Sequence, residues 1–104
     1  MSTDWSIVLK QALAAAKGVI GDNWSTVQTG AIHAVQQLIQ TGQYIKANAS
    51  KMSDDERQSL VENQKFAMQT VLLGYEDIGR AVAAAATAAA WAVIEKALVA
   101  ALAF

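Results

Sequence analysis

The stretch from Arg80 to Phe104, RAVAAAATAAAWAVIEKALVAALAF, limits what this chain can fold into more than any other. Beyond Arg80 its only charges are the adjacent Glu95 and Lys96, alanine is its commonest residue, and no proline or glycine interrupts it. Alanine is the strongest intrinsic helix former because it gives up no side-chain entropy in a helix. The stretch is therefore read as helix. A helix that is apolar nearly all the way round has no face meant for water, so it is covered by a core, by other chains or by lipid.

Composition sharpens that choice. In a chain of 104 residues, hydrophobic residues make up 54% and charged ones 16%. Ordinary domains run at roughly 45–50% and about 25%. One small domain is expected, and a domain of this size buries only around 65% of its unfolded surface. The apolar surplus predicts burial between molecules.

Upstream, apolar residues recur at three- and four-residue spacing. Trp5, Val8, Leu9, Ala12, Leu13, Ala16, Val19 and Ile20 form one amphipathic stripe, with Asp4, Lys10 and Lys17 opposite. Ser2 or Thr3 is expected to cap this helix, with Asp4 in its first turn, and Gly21 to close it, or Gly18 a turn earlier. A second helix carries Trp24, Val27, Ala31, Val35, Leu38, Gly42 and Ile45, opposite an amide-rich face of Gln36, Gln37, Gln40 and Gln43. Asp22 and Asn23 make the turn before it and either is expected to cap it, while Ser25 with Gln28 reads as a capping-box pattern. Asn48 to Met52 reads as a loop. Ser53-Asp54-Asp55-Glu56 is a second capping box, with acids that complement the helix dipole.

The fold class predicted is all-α, a helical bundle with helices over 4–20, 24–48 and 54–104. The last is expected to run through Gly74 and Gly79, since one interior glycine costs only about 1 kcal/mol. Unbroken, it would be about 75 Å long at roughly 1.5 Å per residue. A break at the glycines would instead give four helices of similar length.

The surface expected to mediate association lies on this last helix. Met68, Val71, Tyr75, Ile78, Val82, Ala85, Ala89, Ala92, Lys96 and Val99 follow one 3–4 alternation, with Trp91, Ile94, Leu98, Leu102 and Phe104 as large knobs. Glu95 and Lys96 fall among apolar residues, with Lys96 on the contact register. Each is expected to pair with a neighbouring helix or a second copy, or Lys96 to extend into water from the bundle end.

Catalytic equipment is sparse. There are no cysteines and one histidine, His33, whose neighbours by pattern are glutamines. No Glu-x-x-His pair supports a di-metal bundle, and the six glycines form no phosphate-binding motif. A net charge of −1 with scattered basic residues gives nothing that attracts nucleic acid. No cofactor, metal or small-molecule substrate is expected.

The reading is a non-enzymatic assembly protein that forms a homo-oligomer through its C-terminal helix. One alternative is a membrane-active protein, pore-forming, holin-like or a delivery component. Another is an adaptor for a larger protein. Ala81 to Ile94 falls short of the roughly 20 residues a span requires, and the charges after it oppose insertion. With no secretory signal read at the N-terminus, cytoplasmic localisation is the default expectation, with membrane association as the alternative.

Overall fold

Local signals set each helix of the computed structural model, which describes residues 3–102. Asp4 caps α1 (Trp5–Ile20): its Oδ1 accepts the backbone N–H groups of Ser6 and Ile7 and the Ser6 hydroxyl, at 3.1, 3.4 and 2.6 Å. The acid thus takes the capping place expected of Ser2 or Thr3, because a carboxylate is as good a cap as a hydroxyl and sits directly before the apolar stripe. Ser2 itself lies outside the described residues. Gly21 closes the helix at φ 69°, a left-handed conformation open to glycine without a Cβ penalty.

One 3-10 turn, Gly21–Asn23, leads into α2 (Trp24–Asn48). Ser25 and Gln28 lie inside α2 rather than at its cap, and no side chain caps its N-terminus. The preceding turn feeds straight into the helix there. A second 3-10 turn, Ala49–Lys51, occupies most of the expected loop. The second capping box is present as read, opening α3 (Asp54–Leu73): Ser53 Oγ accepts the Glu56 N–H at 3.1 Å, and Glu56 Oε1 accepts the Ser53 N–H at 3.3 Å.

The expected long helix breaks. Residues 74–79, GYEDIG, form turns between α3 and α4 (Arg80–Leu102). One glycine would be tolerated, but two within six positions tip the balance. Folding back buries Ile78 and lets α4 cover the apolar faces of the other helices, which outweighs the lost helical hydrogen bonds. The longest dimension falls to 41 Å. Asn23 Nδ2 donates to the Asp77 carbonyl at 3.5 Å, tying the α1–α2 and α3–α4 turns together at one end of the bundle. The helices therefore run alternately up and down.

The arrangement is not square. α4 packs most extensively against α1, and also against α3 and α2, while α1 and α3 do not meet. Small residues allow this short diagonal. Gly42 of α2 lies beside Ile94 and Trp5, and Gly30 beside the Tyr75 ring. The core takes Val8, Ala12, Ala16 and Ile20 from α1, Val27, Ala31, Val35, Leu38 and Ile45 from α2, Met68 and Leu72 from α3, and a face of α4 that alternates alanines with Trp91, Ile94 and Leu98.

Candidate functional site on the C-terminal helix

α4 has two unlike faces. Ala83, Ala86, Thr87, Ala90, Trp91, Ile94 and Leu98 are buried in the bundle. Ala81, Ala84, Ala85, Ala88, Ala92, Glu95, Lys96, Val99 and Ala100 are exposed. At about 100° per residue, Ala81, Ala84, Ala88, Ala92 and Glu95 share an arc of about 80° on the side away from the core. Between Ala81 and Ala92 this outer surface carries only alanine methyl groups, because Thr87, the one polar residue in that span, points inward and is fully buried. Charges bound the surface: Arg80 at one end, Glu95 and Lys96 at the other.

The expected contact register is therefore divided between core and surface. Met68, Ile78, Trp91, Ile94 and Leu98 are buried, and Tyr75, Val82 and Ala89 are half-buried. Val71, Ala85, Ala92, Glu95, Lys96 and Val99 are exposed, so Lys96 does not face the core. The Leu102 side chain and Phe104 lie outside the described residues. The physical reason is the break, since the turns at 74–79 reset the helical phase and a register carried over from α3 no longer applies. The true inner stripe was present in the large knobs. Stepping back by turns from Trp91 leads to Thr87 and Ala83, and from Ile94 to Ala90 and Ala86.

Beside this face an open groove of about 710 Å³ separates the first half of α3 from the last turns of α4. Its apolar lining includes Ile45, Val61, Trp91, Leu98 and Val99, and its walls carry Asp54, Arg57, Glu62, Lys65 and Glu95. The groove exists because α3 buries only Met68 and Leu72, both in its second half, leaving its polar first half lightly attached. Arg57 is paired with Asp54 at 2.6 Å and Lys65 with Glu62 at 3.8 Å, both within α3. Among the described residues Arg80, Glu95 and Lys96 make no ion pair. A shallower depression of about 310 Å³, lined by Ala92, Glu95, Lys96 and Val99, lies on the outer face itself.

Among the described residues neither hollow is lined by a histidine, serine, threonine or cysteine, and the titratable groups of the larger one are Asp54, Glu62, Glu95, Lys65 and Arg57. His33 is exposed on α2 with Gln36, Gln37 and Gln40. Among the described residues no three acidic or histidine side chains cluster to hold a metal ion. Hydrogen bonds from the Ser6 hydroxyl and the Ile7 N–H hold the Asp4 carboxyl below its ordinary value of 3.8. What the arrangement offers is surface, an uncharged small-residue strip with ionic ends beside an apolar groove.

The α4 segment Arg80–Ala101 is long and apolar enough to cross a membrane, at a mean hydropathy of 1.6, although part of it is buried in the bundle. No protein-family model matches the chain, and neither a curated protein nor a solved structure matches it.

Proposed function

We propose that the protein is a non-enzymatic assembly subunit, which associates with further copies of itself by covering the outer face of α4. The observation that carries this reading is the exposed Ala81–Ala92 surface, which has no side-chain hydrogen-bonding group over about 17 Å of helix at roughly 1.5 Å per residue. Surface helices normally present charged or polar residues to water. Alanine also lets two helix backbones approach more closely than bulkier residues do, which increases van der Waals contact. The apolar surplus of the composition points the same way. Solution mass by light scattering tests the reading: an oligomer is expected at micromolar concentration, and a clean monomer at several hundred micromolar overturns it.

A second reading, insertion of α4 into a bilayer, has the span-like length and hydropathy of that helix in its favour. It requires α4 to leave α1 and α2, exposing their apolar faces, and to carry Glu95 and Lys96 towards lipid at roughly 2.5–3.5 kcal/mol per central charge. Liposome flotation and dye release separate the two readings. Binding that depends on lipid and releases dye would favour insertion over self-assembly.

A further inference from the structure

Resting on the self-association reading above, we propose that the second copy lies antiparallel across α4, on a two-fold axis passing between Thr87 and Ala88, so that Arg80 of each copy pairs with Glu95 of the other. The two charges lie equally far from that point along the helix, so a two-fold axis there sets them opposite one another. The axis repeats the pair, giving one at each end of the alanine strip.

Three observations carry the arrangement. First, Arg80 and Glu95 lie towards the same flank of the strip, only about 60° apart around the helix. An antiparallel two-fold axis brings like flanks together, so they meet. Second, both are exposed and make no ion pair among the described residues, and the cations across the groove from Glu95, Arg57 and Lys65, are engaged with Asp54 and Glu62. Third, the same register sets Ala84 and Ala92 of one copy level, to within one residue, with Ala92 and Ala84 of the other, and Ala88 beside its own symmetry mate, so alanine meets alanine along the strip.

A parallel pair is the competing geometry. It would oppose Glu95 to Lys96 of the second copy, but it would also gather both copies of Arg80, and both copies of Glu76-Asp77, at the same end of the pair. Like charges placed together select against a partner geometry. Antiparallel helices separate those groups and align the helix dipoles favourably.

Charge reversal distinguishes the geometries. Arg80→Glu alone and Glu95→Arg alone each place two like-charge contacts in an antiparallel homodimer. Each is expected to weaken association about tenfold or more at low salt. Mixed in equal amounts, they form a heterodimer in which both contacts become attractive, and association is expected to return to near the wild-type level. Both residues are surface positions, and unchanged helical circular dichroism checks that each variant folds. Wild-type association without recovery on mixing overturns the register but leaves self-association intact. Recovery from mixing Glu95→Lys with Lys96→Glu instead overturns it in favour of the parallel pair. A monomeric wild type overturns both the register and the reading beneath it.

Discussion

Ile94 of α4 fills the notch that Gly42 leaves in α2, and a methyl group added at residue 42 would stand 3.0 Å from Ile94 Cγ2. The Trp5 ring of α1 closes the same notch at 3.2 Å, so three helices converge on one missing side chain. This contact sets how closely α2 and α4 approach. It also fixes which face of α4 turns outward.

Gly42→Ala is accordingly expected to destabilise the bundle, in spite of alanine's advantage in a helix. Overpacking a closed core costs about 1–3 kcal/mol, against roughly 1 kcal/mol gained in propensity. A net loss of about 1 kcal/mol lowers Tm by roughly 4–8 °C in a domain of this size. Gly18→Ala is the control, because nothing lies within 4 Å of its added methyl group. It should raise Tm, with a stabilisation of about 0.5–1 kcal/mol. Thermal unfolding followed by circular dichroism checks both signs.

Thr87 is fully buried and its hydroxyl has no hydrogen-bond partner among the described residues. Desolvating a hydroxyl without compensation costs about 1–3 kcal/mol by protein mutational data. Thr87→Val keeps the shape and removes that cost, so chemical denaturation should show a gain of about 1 kcal/mol. A loss would mean that the hydroxyl is satisfied after all.

The Ser53 capping box opens the helix that is least secured by the core. Ser53→Ala removes the acceptor for the Glu56 N–H and is expected to cost about 1 kcal/mol. Hydrogen exchange should locate the effect in the first turns of α3, ahead of any change in α1 or α4.

Asp4 supplies a pH dependence with a defined sign. Its carboxyl titrates below the ordinary value, chiefly because the Ser6 hydroxyl and Ile7 N–H bond the charged form. A depressed folded-state pKa adds stability that is fully present above the unfolded value, near 4, and is lost as pH falls through the folded one. Wild-type Tm is therefore expected to fall as pH drops below about 4. Asp4→Asn keeps a capping side chain but cannot titrate, so its Tm should fall less over that range. Equal slopes would remove the cap from the acid response.

Ala88 stands at the centre of the outer strip and is exposed. Ala88→Arg adds a long charged side chain where two helices are proposed to touch, without entering the core. Sedimentation should show loss of the oligomer, with helical content and Tm of the dilute protein changed little. An assembly that tolerates arginine there uses another surface.

Helix identity was legible in the chain because its causes are local. The Ser53 box, the glycine at 21 and the alternating stripes of α1 and α2 each act within a few residues. The break at 74–79 was less legible, since a glycine's cost is small and the gain from folding back is collected by distant residues such as Ile78. The candidate surface was only half legible. Alanine is small enough to sit in a core or on a surface, so the run Ala81–Ala92 carries little signal of which methyl groups face inward.

By itself, the sequence determined that the chain is helical, where most helices begin, and that its C-terminal segment holds almost nothing polar to offer water. Tertiary structure alone decided the phase of that segment. Docking Ile94 against Gly42 selects one side of a nearly uniform cylinder for the core and leaves the other bare, a choice set by contacts between helices far apart in the chain.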